Sequence, residues 1–459
     1  MMSTHSSSRQ NLPGLTPHRK PGAAMRLWLA GIVLSAVVSG CARDEIVIVA
    51  GSSPQQAHYL TDFSPAQTCS TCHPQQYREW AGSMHRYSAN DPIWMLANNA
   101  LQSATNGRLQ AFCFQCHSPV SYVTQQTPPT FQFSDLPDLG REGVTCDFCH
   151  VLKSPFTTTD QHVGYTLSPG TTKYGTLSSP VATASHLNGF EPAYDRSEVC
   201  RNCHDLIING VPTEMTFTEW QQSPWGTMGY SCQECHMQRY TGRAAVDGPI
   251  RENLHRHDFT GGVDVAMTDF PDKDIQRAAV DSTLKNSVTM SLTVPRSAAA
   301  GDSVRMSVLV YNNQTAHNIP TSVFFFRQMW IEMTVWRGRD TAYRSGYLDA
   351  NGDLMDTHSS LNPGADSGLA LFGGILYKHG VETNVFELDS LVNESIPPYG
   401  SRNVAYTCRI PAAGTWNARA RLLFRPFGPY LFRSLGAHAL IPQIPTYEMS
   451  SQEVLINVR

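Results

Sequence analysis

Charge is scarce in this chain: of its 459 residues only 16% are Asp, Glu, Lys or Arg, where an ordinary soluble protein has about 25%. Positive charge is not in excess, since 34 Lys and Arg stand against 38 Asp and Glu, a formal net charge of −4. That balance lacks the basic footprint with which nucleic-acid binders hold phosphates, so no nucleic-acid partner is expected. Long apolar runs are absent as well. Past Val38 no segment reaches the roughly 18 apolar residues of a membrane-spanning helix. Isolated cysteine is the third scarcity. Ten of the twelve Cys stand in C-x-x-C pairs, and only Cys41 and Cys408 fall outside them.

What is present begins near the N-terminus. Residues 1–24 are polar and rich in Ser, Pro and basic side chains, and the text changes at Met25-Arg26-Leu27-Trp28-Leu29 to an apolar run ending at Val38. A short positive segment before a short apolar one is the pattern of a secretory signal. It closes on Val38-Ser39-Gly40-Cys41, which resembles a bacterial lipobox, where lipid is attached to the Cys thiol and cleavage leaves that Cys first in the mature chain. The alternative is an ordinary secretory signal with an incidental Cys. On the lipobox reading residues 1–40 are the signal peptide, Met25 is the start and 1–24 an upstream over-extension. The protein is then exported and anchored through Cys41 to a bacterial membrane, on its periplasmic face or at the cell surface. Ala42, in place of an inner-membrane retention Asp, favours the outer membrane.

Every C-x-x-C pair is followed directly by His: Cys69/Cys72/His73, Cys113/Cys116/His117, Cys146/Cys149/His150, Cys200/Cys203/His204 and Cys232/Cys235/His236. Two thiols at this spacing can each form a thioether to one vinyl group of a haem, and the adjoining His is then held beneath the iron. Paired cysteines also build zinc sites, and export would permit disulfides. Neither needs a His directly after the second Cys, five times over. Five covalent c-type haems are therefore expected, their propionates making the loaded protein more acidic than its sequence. From Cys69 to His236 there are only about 34 residues per motif, too few for an ordinary core. Pro128, Pro129, Pro137, Pro155, Pro169 and Pro180 interrupt the linkers, so short helices and loops wrapped on porphyrins are expected.

A second His on an iron makes a six-coordinate haem suited to electron transfer, whereas an open position admits a substrate. The candidates for that second ligand are His85, His186, His257 and His317, ahead of His255, His162 and His58. His358, His379 and His438 read as structural or exposed. Twelve helical residues span about 18 Å, so His85, twelve positions past His73, is expected to serve a neighbouring haem. One internal echo stands out. Glu79-Trp80-Ala81-Gly82-Ser83-Met84-His85 returns as Glu219-Trp220-Gln221-Gln222-Ser223-Pro224-Trp225, with Trp in the place of His85. Either the echo is fortuitous or a duplicated unit has lost one ligand.

Beyond about residue 280 the period becomes two. Val288, Met290, Leu292 and Val294 alternate with polar residues, as do Val304 to Val310, Met329 to Val335, Val404 to Ile410, Trp416 to Phe424 and Val454 to Val458. Alternation of this kind reads as half-buried strands and, taken together, as a β-sandwich. It places Cys408 on an apolar face as an inert buried thiol. The expected fold class is thus mixed: a linker over 41–64, a haem-packed domain of short helices and loops over 65–265, a linker over 266–283, and a sandwich-like all-β domain over 284–459.

Residues 66–262 resemble the multihaem c-type cytochromes related to the tetrahaem cytochrome that accepts electrons from hydroxylamine oxidation. The likeness rests on Cys69-x-x-Cys72-His73 followed by Trp80-x-x-Ser83-x-His85, on Cys116-His117-Ser118-Pro119, on Gly143-Val144-Thr145-Cys146-Asp147-Phe148-Cys149-His150 and on Cys232-Gln233-Glu234-Cys235-His236-Met237. Ala316-His317-Asn318-Ile319-Pro320-Thr321 is similar to a segment of β-rich domains appended to such cytochromes. The resemblance implies bis-His low-spin haems, His85 as a distal ligand, and electron exchange with redox partner proteins in the periplasm or at the cell surface. Five motifs in place of four, and Trp225 where His85 has its echo, depart from that pattern. An electron carrier is the leading expectation, with no catalytic residue assigned. The alternative is an oxidoreductase acting on a small nitrogen or sulfur compound at one open haem. Ammonia-forming nitrite reductase also carries five haems, but it marks its catalytic motif with Lys and ends in helices, and neither holds here. A third possibility makes the β domain a surface-binding module with the haems secondary.

Overall fold

The computed structural model describes residues 57–262 and 270–459. The expected signal segment and Cys41 lie outside these residues.

The motif-bearing region is a series of short helices, as expected. The longest in 66–236 is Pro92–Ala104, and most run four to six residues. Proline opens helices Pro74–Ala81, Pro92–Ala104, Pro119–Val123 and Pro224–Thr227, at the position where its missing N–H would have no partner anyway. Side-chain caps start others: Ser83 accepts from the Arg86 N–H, Asp91 from Ile93 and Thr145 from Phe148. Each C-x-x-C-H motif forms a single helical turn. The backbone N–H of His73, His117 and His204 donates to the carbonyl of its motif's first Cys at 2.8, 3.1 and 3.1 Å, and Cys146–His150 and Cys232–His236 are helical throughout. A helical turn brings residues three and four apart to one face, which gathers both thiols and the imidazole. Two-stranded ribbons fill the spaces between turns.

The core of the C-terminal region is two sheets face to face, and a third, three-stranded sheet sets Gly374–Lys378 between Val381–Glu382 and Ser390–Asn393. Of the facing pair, the larger runs in the order Ser297–Ala298, Tyr447–Val458, Gly414–Arg425, Gln328–Arg337, Asp340–Ser345, with Ala370–Phe372 also on Gln328–Arg337. The smaller places Ser303–Tyr311 between Ser401–Arg409 and Thr289–Thr293, all antiparallel. The alternating residues meet as expected: Val304, Met306, Val308 and Val310 face Met329, Ile331, Met333, Val335, Trp416, Ala418 and Ala420 in one core, which also buries Cys408. Strand Gln328–Arg337 is buried on its other face too, because Trp330 packs with Leu354 and Leu423 beneath the excursion that follows Asp340–Ser345.

Two features differ from the sequence reading. The stretch expected as a linker over 266–283 carries helix Lys273–Lys285, whose Val280 and Leu284, one turn apart, enter the sandwich core. The two regions also share cores. Leu109, Phe112 and Ile208 bury against Leu376, Phe386 and Leu388, with the Phe112 and Phe386 rings edge to face at 5.1 Å. Ile93 buries against Phe427 and Phe432. The described residues accordingly form one compact unit.

Candidate functional site

Four of the five motif histidines, His73, His117, His150 and His236, are half-buried, while the His204 side chain is 47% exposed. Four of the five face a second histidine drawn from elsewhere in the chain. Ring centres lie 6.3 Å apart for His73 and His186, for His150 and His257, and for His236 and His317, with planes within 27°, 24° and 19° of parallel. His204 faces His85 at 6.5 Å and 45°. A metal–imidazole bond of about 2.0–2.1 Å, with about 1.1 Å from ring centre to nitrogen, puts two axial imidazoles of one ion about 6.2–6.4 Å apart. Three of the separations fall within that range and that of His204 and His85 lies just beyond it, so a haem iron fits between the members of each pair. His317 reaches its pair from the loop after strand Ser303–Tyr311, so the C-terminal region contributes to the site.

Hydrogen bonds set which nitrogen of each ring is available. Nδ1 of His73, His117, His150 and His236 meets the backbone carbonyl of Ala244, Ser88, Tyr174 and Thr260 at 2.5, 3.0, 2.6 and 2.5 Å. Nδ1 of His186, His257 and His317 meets that of Leu187, His255 and Asn318 at 3.1, 3.1 and 2.8 Å. A carbonyl only accepts, so Nδ1 carries the proton in all seven and Nε2 is left with its lone pair, the state a metal ligand needs. Burial reinforces neutrality. It pushes His85 and His257 down to about 3 and His117 and His317 down to about 4, and lowers His150 and His236 as well.

The pair His204 and His85 departs from this pattern. His204 Nδ1 lies 3.8 Å from the carboxylate of buried Glu214. Burial alone would lower this ring, but Glu214 outweighs it and raises it to about 9. The Nδ1 of His85 is buried with no hydrogen-bond partner. Its backbone is held by Gly143, whose φ of +68° and absent Cβ let Val144 N–H donate to the His85 carbonyl at 2.9 Å; a Cβ there would clash with that oxygen.

His117 is the motif histidine without an imidazole opposite it among the described residues. Its ring partner is Trp94, parallel within 2° at 4.9 Å. That is too close for a group across an ion, so Trp94 flanks the imidazole, backed by Phe114 and Phe131. His255 is engaged at both nitrogens, by the Met237 carbonyl and Asp195. His162 is half-buried in a ribbon strand, and His58 lies beside Asp62. His358 sits between Asp356 and Glu382, away from any motif.

The motif turns adjoin one another. Cys69 is within hydrogen-bonding reach of Cys146, Cys116 of Cys203, and Cys200 of Cys232, and none forms a disulfide. The Tyr165 hydroxyl bridges one contact, 2.5 Å from the Gln115 carbonyl and 3.4 Å from Cys203 Sγ. Spacing in the sequence marks the attachment residues but carries no sign of these adjacencies, nor of Glu214 and Trp94.

Residues 68–151 match the family model described as cytochrome c554 and c-prime. No curated protein matches the chain. Among solved structures, a penta-heme cytochrome c552 from Thermochromatium tepidum is similar at a TM-score of 0.62 and 20% identity, over 86% of this chain and 99% of that one. The chain shares its fold. Two further likenesses are too partial to carry an argument. The CARDB domain of PF1109 from Pyrococcus furiosus gives a TM-score of 0.16 at 9% identity, over 38% of this chain and 87% of that one. MtrC from Shewanella baltica OS185 gives 0.18 at 12%, over 56% and 36%.

Proposed function

We propose that this chain is a multihaem c-type cytochrome with five covalent haems whose work is electron transfer, exported and held at a bacterial membrane through lipid on Cys41. The observation that carries the reading is the pairing of four motif histidines with four others at the separation of a shared iron. Haem supplies a one-electron couple whose potential is set by its axial ligands and their hydrogen bonds. His73 and His186, His150 and His257, His204 and His85, and His236 and His317 hold four irons, and His117 the fifth. Cys69, Cys72, Cys113, Cys116, Cys146, Cys149, Cys200, Cys203, Cys232 and Cys235 anchor the rings.

Contacts between motif turns support a relay rather than isolated centres. The Cys69 turn meets the Cys146 turn, and the Cys200–Cys203 turn meets those of Cys116 and Cys232. The fourth motif is thereby a junction. Glu214 behind His204 would make that imidazole a more electron-rich ligand, which would favour the oxidised metal and lower the potential of this centre.

A second reading is favoured by one observation, the flanking of His117 by Trp94 with no imidazole opposite among the described residues. There a small nitrogen or sulfur compound would meet the iron, and the remaining centres would feed it electrons. The two readings separate in one experiment on holoprotein made with haem-maturation machinery. Reductive titration is expected to take up five electrons per chain, and a second redox protein is expected to withdraw them with no small molecule present. Turnover of nitrite or hydroxylamine, with a spectrum that shifts on adding either, would establish the second reading. A preparation without covalent haem would overturn both.

A further inference from the structure

The echo between Glu79–His85 and Glu219–Trp225 is also an echo in three dimensions. Helices Pro74–Ala81 and Thr216–Gln221 each end at a serine that caps the next turn: Ser83 accepts from Arg86 N–H at 3.4 Å, and Ser223 from Gly226 N–H at 3.2 Å. Both serines donate to the carbonyl of the preceding Trp, at 2.8 and 2.7 Å. Both indoles donate to a backbone carbonyl, Trp80 to Val144 and Trp220 to Tyr230. At the seventh position the copies diverge, since His85 faces His204 and Trp225 stacks at 6.1 Å on Tyr399 of the C-terminal region.

The first position of the echo is the same in both copies, and so is its contact. Glu79 accepts the backbone N–H of His257 at 2.8 Å, and its other oxygen takes Arg256 and Gln75, each at 2.9 Å. Glu219 accepts the backbone N–H of Asn318 at 3.1 Å, the Thr321 hydroxyl at 2.6 Å and the Asn318 side-chain amide at 2.8 Å. Each carboxylate thus grips the backbone at or next to a distal histidine, and no hydrogen bond joins either to an imidazole. On the opposite side of the second loop, buried Asn312 donates to the carbonyls of His317 and Ile396 at 3.0 and 2.9 Å. The His317 loop is therefore held from the sandwich by Asn312 and from the motif-bearing region by Glu219.

We propose that Glu79 and Glu219 are a duplicated pair of positioning residues that fix the backbones carrying His257 and His317, with Glu219 the latch through which the C-terminal region supplies an axial ligand. The inference rests on the pairing proposed above. Three acceptor contacts from one carboxylate orient a loop that reaches its partner across the boundary between regions. Without them His317 keeps its place in the chain but loses its aim.

The test is low-temperature EPR spin quantification on full-length holoprotein. Glu219→Ala is expected to add close to one high-spin iron per chain, returned to low spin by free imidazole, and Glu79→Ala to do the same at the His150 site. Glu219→Gln keeps an acceptor oxygen for the Asn318 N–H and is expected to match the parent protein. His317→Ala serves as the control and is expected to add one high-spin iron. If His317→Ala does so while Glu219→Ala leaves the spin state unchanged, the latch is overturned and the pairing stands. If His317→Ala changes nothing, the pairing fails and the latch with it. A high-spin signal that imidazole does not quench would indicate collapse of the site and likewise overturn the proposal. Should Glu219→Ala not fold, the double variant Asn318→Ala/Thr321→Val removes two of the three bonds from the other side. A partial high-spin signal is then expected, and an unchanged spectrum would overturn the latch.

Discussion

Residues 289–458 and residues 66–236 reach order by different means. In the first, strands run to twelve residues, and their alternating side chains meet across two sheets in a core of Val, Ile, Met, Leu and Trp. In the second, no described strand exceeds four residues and most helices are a turn or two long. Helices this short do not hold themselves together, since about 12–15 residues are marginal even for isolated good helix formers. The described side chains there gather into smaller clusters, and the largest packs around Phe114, Phe148 and Trp94, next to the motif turns. One region is specified by its own apolar side chains, while the other is arranged around what ten cysteines and nine histidines are proposed to bind. The two then join through Phe112, Ile208 and Phe386, and through His317.

The sharpest way to break this contrast is to withhold the cofactor. Protein made without haem attachment is expected to keep its sheets, giving a strand-type circular dichroism spectrum and a protease-resistant fragment beginning near Lys273. The motif-bearing region is expected to be digested. Resistance of residues 66–236 without haem would show that its side chains suffice.

Next in size is the shared core. Phe386→Ala, at a site 2% exposed, is expected to cost about 3–5 kcal/mol, read as a lowered denaturant midpoint. If the regions are coupled, haem absorbance and tryptophan fluorescence will shift together. A shift in one signal alone would mean that each region unfolds by itself.

A smaller effect sharpens the account of the motif-bearing region. Gly143→Ala combines a positive φ with a Cβ driven against the His85 carbonyl oxygen, and about 1–3 kcal/mol of destabilisation is expected. The spectrum of a single centre should change with it, because His85 must move. A stable variant with an unaltered spectrum would remove Gly143 from the site.

The smallest effect belongs to the C-terminal region. Burial opposes charge on His358, but Asp356 and Glu382 overcome it and raise the ring to about 9. Folding therefore gains from the protonated ring. The gain is complete below an unfolded pKa of about 6.5 and is lost as pH rises through about 9. Stability should decline modestly across that window, and His358→Gln should flatten the decline. An identical pH profile in the variant would remove this pair from the balance.

Much of this was legible in the residues. The period of two located the strands because each has one face in the core, and the C-x-x-C-H spacing located the turns because the chemistry is local. Helix Lys273–Lys285 was hidden because its buried side is narrow, with Val280 and Leu284 inside and Ile275 67% exposed. The histidine pairs were named as candidates but not matched, since the partners lie between 81 and 119 residues apart in the chain (His236 to His317 and His85 to His204). Only tertiary structure brings them together. Glu214 and Trp94 carried no signal at all. Their roles depend on which ring they touch, and no local pattern encodes that.

The most direct test of the central claim is a spin count on oxidised holoprotein by low-temperature EPR, beside a haem count by pyridine haemochrome. Five haems per chain are expected, at least four of them low-spin with paired imidazole ligands and the one on His117 distinguishable from the rest. Fewer than four low-spin irons would contradict the pairing of His73 with His186, His150 with His257, His204 with His85 and His236 with His317.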